Sequence, residues 1–176
     1  PGGELIFDAL LNFKMQKKVT KIGISIYCRS ELEKILSRYP LDLVQIPINI
    51  FDQRLLEDGF LRNIKEKGIE IHARSVFLQG LLLQKPKDIK TYFNPINQKL
   101  SELRGYANSL GISVLELCLK FVLGIKEVDR VVIGFNNSQQ LSEVCSALES
   151  NSNLSGVNFK GLDESKFLNP NQWEKK

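Results

Sequence analysis

The sequence is poor in the residues that metal centres and disulfide frameworks require. It has one histidine, His72, and three cysteines, Cys28, Cys118 and Cys145, at no metal-ligand spacing. A lone histidine excludes zinc sites and mechanisms that need two. An odd cysteine count, with no secretory signal opening the chain, points to a reduced, cytoplasmic protein. No apolar run approaches the ~18 residues of a membrane span, so no membrane partner is expected. GxGxxG and GxxxxGK[ST] are both missing, which removes the Rossmann fingerprint and the P-loop. The only methionine is Met15 and the chain opens Pro1-Gly2-Gly3 in front of a helical pattern, so either an initiator was removed or the sequence begins mid-protein.

What is present is ordinary in amount and ordered in pattern. The 176 residues are 43% hydrophobic and 25% charged, with a net charge of +4. That composition describes a single globular domain. The positive excess lies in short runs, 14–21 and 85–90, that read as solvated helix ends, so nucleic acid is not an expected partner.

Short β-branched runs alternate strictly with helical patterns, the grammar of a parallel sheet. The spacing predicts a helix over 5–17 and strands over 19–27, 43–48, 69–76 and 130–134. Ser30 with Glu33 forms a capping-box pattern for a helix to about 39, and a helix from 52 or 53 to 67 is closed by Gly68. A long connection over 77–95 leads to a helix over 96–110. Ser113 with Glu116, and Asn137 with Gln140, cap helices over 114–123 and 138–148. The stretch 151–176 reads as an irregular tail whose Phe167, Leu168 and Trp173 lie back on the body. The fold class is therefore α/β, with four βα units, half of the eight that close a (β/α)8 barrel.

Ligands of parallel α/β folds bind at the strand C-termini. Gln45 interrupts an apolar strand, and an unpartnered buried amide costs roughly 2 kcal/mol or more, so it needs backbone, water or a ligand. Arg74 closes the third strand and must reach a carboxylate, a phosphate, an aromatic ring or water. His72 lies two residues earlier on the same side and reads as a packed strand residue. Gly134 and the helix behind it offer free N–H groups to an anion, a feature every βα unit shares. Tyr27 is the tyrosine best placed for acid work, yet no catalytic constellation and no metal site follow from the residues.

The runs GISIY, LDLVQIPINIFD, GIEIHARSVFLQGLLL and RVVIGFNNSQQLSEV, in this order and spacing, resemble the second half of the aldo/keto reductase family. The likeness covers nearly the whole chain. It implies a TIM-barrel fold of which this chain holds strands five to eight, the cofactor-binding half. It further implies NADP(H), or NAD(H), as cofactor and a small carbonyl compound as substrate. The family's catalytic tyrosine and its Lys, Asp and His partners have no counterpart here, so the chain alone is expected to be inactive. Carried over by position, Ser25 and Gln45 would hold the nicotinamide carboxamide, Ile26 standing where an asparagine is common. Arg74 would stack on the ring in place of a tyrosine. Ser75, Phe77 and Gly80 would cover the pyrophosphate, and Gly134, Asn136, Gln140 and Glu143 would hold the adenosine end. The stretch around Asn136 lacks the Lys or Arg with which members pair the 2′-phosphate. The alternatives are a non-enzymatic half-barrel that binds a nucleotide or self-associates through its open sheet edges, and a different parallel α/β fold.

Overall fold

A computed structural model describes residues 3–150 and 157–173. Its elements run α1 (Gly3–Met15), β1 (Gly23–Ser25), α2 (Arg29–Leu36), β2 (Leu43–Pro47), α3 (Phe60–Glu66) and β3 (Glu70–Arg74). They continue through α4 (Asn97–Ser109), α5 (Val114–Leu123), β4 (Arg130–Val131), α6 (Ser138–Glu149) and the single turn α7 (Ser165–Leu168). The four strands form one parallel sheet in the order β1-β2-β3-β4.

Alternation along the strands divides the sheet into two unlike faces. Val44, Ile46, Ile71 and Ala73 are fully buried and form the core with the helices. The other face carries Leu43, Gln45, Glu70, His72 and Arg74, with Ser25, Gln45, His72 and Arg130 in one register layer. At the level of Leu43 the register partners are Gly23 and Glu70, and Glu70 gathers Lys21, His72 and Arg130 around its carboxylate. Glycine is required at position 23, since a Cβ there would stand 2.2 Å from the Leu43 carbonyl oxygen.

At the N-terminal edge of the sheet two aspartates join strand starts to helices. Asp42 accepts from the Ile22 N–H at 2.9 Å and pairs with Lys14 of α1. Asp129 accepts from the Ile71 N–H at 2.7 Å and pairs with Lys65 of α3. Burial raises the pKa of both carboxyls, but the lysine and the backbone donor outweigh it and hold them below the usual carboxylate value.

Several elements are shorter than the sequence suggests, each for a local reason. The first strand is cut to Gly23–Ser25, and Glu31, not Glu33, caps α2 by accepting from the N–H groups of Tyr27 and Cys28 at 2.7 and 3.2 Å. The helix expected from 52 or 53 begins only at Phe60, because Asn49 captures the Phe51 and Asp52 N–H groups and because Asp58 and Gly59 are left-handed, with φ of 54° and 66°. Ser75, at φ 60°, turns the chain out of β3. The fourth strand keeps only Arg130–Val131 in the ladder, followed by one more bond from the Val132 N–H to the Ala73 carbonyl at 2.8 Å. The caps at Ser113 and Asn137 stand where expected, accepting from the Glu116 and Gln140 N–H groups.

The long connection is folded into three short 3-10 turns, and its Leu78, Leu81, Leu82 and Phe93 are buried. Phe167 and Leu168 are buried beneath it, and the Trp173 indole donates to the Phe167 carbonyl at 3.1 Å. Gln53 bonds the Phe159 carbonyl at 2.8 Å, which fastens the C-terminal segment to the loop after β2.

Candidate active site

The C-terminal ends of β2, β3 and β4 open into one cleft of about 690 Å³. Gln45, Arg74, Ser75, Phe77, Gly80, Gly134, Asn136, Gln140 and Glu143 all line it, residues that stand on three separate segments of the sequence. Ser25 is not a lining residue but accepts from Arg74 Nε at 3.0 Å. Every position carried over as a cofactor contact therefore borders this cleft or, for Ser25, supports Arg74.

Arg74 meets its burial requirement without an acid. Nη1 donates to Ser75 Oγ at 3.1 Å, Nη2 donates to the Ile26 carbonyl at 3.2 Å, and the guanidinium carbon lies 4.3 Å from the centre of the Tyr27 ring. Among the described residues no carboxylate stands within salt-bridge distance of it. Of the partners open to Arg74 in the sequence, the described residues supply the aromatic ring. Tyr27 thus stands behind Arg74 as its support. Ile26 turns its side chain into the core and offers only its backbone oxygen.

Gln45 differs from the other polar groups of the sheet. No described residue hydrogen-bonds its side chain, and its amide atoms are open to the cleft. His72, in register with it, is engaged by Glu70 at 3.0 Å, as its reading as a structural residue requires. Lys21, His72 and Arg130 hold the Glu70 carboxyl down to about 2.

The loop after β3 is conformationally unusual. Ser75, Leu78, Gln79 and Gly80 all have positive φ, a cost of order 1–3 kcal/mol for each non-glycine residue that the surroundings must offset. Asn49, fully buried, offsets part of it: its carboxamide donates to the Ser75 carbonyl at 3.1 Å while its oxygen accepts from Phe51 and Asp52. Asn49 was missed in the sequence, where the Asn-x-x-Asp turn pattern in PINIFD signals it.

On the far wall, α6 points its N-terminus at the cleft. Gln140 Oε1 accepts from the Asn136 N–H at 2.8 Å, and Glu143 accepts from Gln139 Nε2 at 3.1 Å. A Cβ on Gly134 would meet nothing within 4 Å, so the absent side chain leaves room in the cleft. Val132 and Phe135 are 43% and 50% exposed and give this wall an apolar surface. The cleft thus joins an unengaged carboxamide, a planar cation, a helix N-terminus suited to anions and an apolar wall, a combination that fits a ligand with an amide, flat rings and phosphates.

A model of the aldo/keto reductase family matches residues 4–166. No curated protein sequence matches the chain significantly. Similar solved structures include the aldo-keto reductase AKR11C1 from Bacillus halodurans in its holo form, 23% identical with a TM-score of 0.70 over 85% of this chain and 51% of that one. The apo form of the same protein is 24% identical, with a TM-score of 0.69 over 85% and 52%. The thermostable aldo-keto reductase Tm1743, in complex with the inhibitor epalrestat, is 23% identical, with a TM-score of 0.60 over 84% and 50%. At these identities the likeness is one of fold, and the chain spans about half the length of each structure.

Proposed function

The chain belongs to the aldo/keto reductase family, and from that premise we propose that its cleft is the cofactor site of an NAD(P)H-dependent carbonyl reductase. The observation that carries the reading is the Gln45 carboxamide, open to the cleft beside the Arg74 guanidinium and bonded to no described residue. A second carboxamide supplies the donor and the acceptor that such a group lacks.

A bound reduced nicotinamide supplies a hydride to the carbonyl carbon of an aldehyde or ketone, giving an alcohol. The residues of this chain bind and orient. Gln45 fixes the ring's rotation by a reciprocal pair of hydrogen bonds, and Arg74 gives it a flat support held rigid by Ser25, Ser75 and Tyr27. The Ser75–Gly80 loop and the α6 N-terminus accommodate the phosphates through backbone N–H groups. Gln140 and Glu143 offer polar atoms at the adenosine end. The proton donor and its partners belong, in this reading, to the other half of the barrel, consistent with a chain that spans about half the length of its structural relatives. The substrate is a small carbonyl compound.

The test is carbonyl-dependent oxidation of NADPH or NADH by the full-length protein, with one alcohol formed for each cofactor consumed. Absence of turnover across a panel of aldehydes and ketones overturns the enzymatic reading. Retained dinucleotide binding without turnover would favour a non-enzymatic nucleotide-binding role.

A further inference from the structure

Among the described residues, no carboxylate stands within salt-bridge distance of the Arg74 guanidinium in the cleft. Its hydrogen-bond partners are two hydroxyls and a carbonyl, all neutral. Of the acids on the surrounding elements, Glu70 pairs with Lys21, His72 and Arg130, and Asp52 pairs with Arg54. Glu31 accepts from the N–H groups of Tyr27 and Cys28, and Glu143, on the α6 wall of the same cleft, accepts from the Gln139 amide, neither within salt-bridge distance of Arg74. Tyr27 covers one face of the guanidinium, and the residue itself lines the cleft beside Gln45.

A flat ring held by Gln45 would therefore meet a fixed cation that no described carboxylate pairs. Resting on the reading of the cleft as a nicotinamide site, we infer that Arg74, braced by Tyr27, makes the cleft discriminate between redox states of the cofactor. The reduced ring is neutral and is accepted. The oxidised ring is itself a cation and is repelled. For unit charges about 4 Å apart, that repulsion amounts to roughly fivefold in affinity even with the screening of bulk water, and to more near a protein surface. The chain is thereby biased to load the reduced cofactor and to release the oxidised one. A neutral residue at position 74 would provide stacking without this bias.

The test is calorimetric titration of the full-length protein with NADPH and with NADP⁺, in the wild type, Arg74→Gln and Arg74→Lys. The ratio of the two dissociation constants is the readout, because it is insensitive to a general loss of affinity. Wild type is expected to bind the reduced form more tightly, with the preference falling at least about fivefold in Arg74→Gln. Arg74→Lys keeps the charge and loses the plane, so both affinities should weaken while the preference persists. An unchanged ratio in Arg74→Gln, with both forms still binding, overturns this inference and leaves the cofactor site standing. Failure of the folded wild type to bind either form overturns both.

Discussion

The Asn49 side chain hydrogen-bonds the Ser75 carbonyl at 3.1 Å, so a fully buried amide in the loop after β2 holds the first left-handed residue of the loop after β3. Ser75 in turn accepts from Arg74, and the geometry of the cleft depends on this chain of contacts. Asn49→Ala removes the acceptor for two buried N–H groups and the donor to Ser75. A loss of about 3 kcal/mol in unfolding free energy is expected in urea denaturation. Dinucleotide affinity should fall as well, since the loop that carries Ser75 is released.

Acid should expose the Glu70 cluster. Lys21, His72 and Arg130 lower its carboxyl from the ordinary 4.5 to about 2, so its contribution is fully present above pH 4.5 and is lost as the pH falls toward 2. Glu70→Gln removes this contribution at every pH. Chemical denaturation through that window should show a shallower loss of stability in the variant than in the wild type, with the remaining slope due to groups such as Asp42 and Asp129, whose carboxyls are also held low.

Cofactor choice should respond to charge at the adenosine end. Arg74 is the one basic residue among those lining the cleft, and it stands at the strand ends, away from Asn136. Among the described residues lining the cleft, none near Asn136 offers a 2′-phosphate an ion pair. Asn136→Arg is expected to raise affinity for NADPH relative to NADH by about tenfold, as a phosphate-guanidinium pair would. Competitive binding of the two cofactors measures it.

The alternation of βα units and the two caps at Ser113 and Asn137 were legible in the sequence because they are local signals. Strand lengths were not, since pairing decides them: 19–22 is β-branched enough to read as strand, yet only Gly23–Ser25 finds partners on β2. The missing first half of α3 has the same origin. Residues 52–59 follow a helical pattern, but a buried Asn49 and two left-handed residues take the backbone another way. At the site, Gln45 stood out because a carboxamide in an apolar strand is costly. Tyr27 was read as an acid candidate because its position was visible while its neighbour across the strand was not. The charged character of the inner face was also hidden, because it depends on register, which sets Glu70 beside Leu43.

In the proposed reading the open carboxamide of Gln45 is a cofactor ligand. Calorimetric titration of the full-length protein with NADPH and NADH, in the wild type and in Gln45→Leu, tests that role. Saturable binding of one equivalent to the wild type is expected. Affinity in Gln45→Leu is expected to be at least about tenfold weaker, with no loss of folding stability, because the replaced amide bonds no described residue. Equal affinity in the two proteins, or no binding to the wild type, would contradict it.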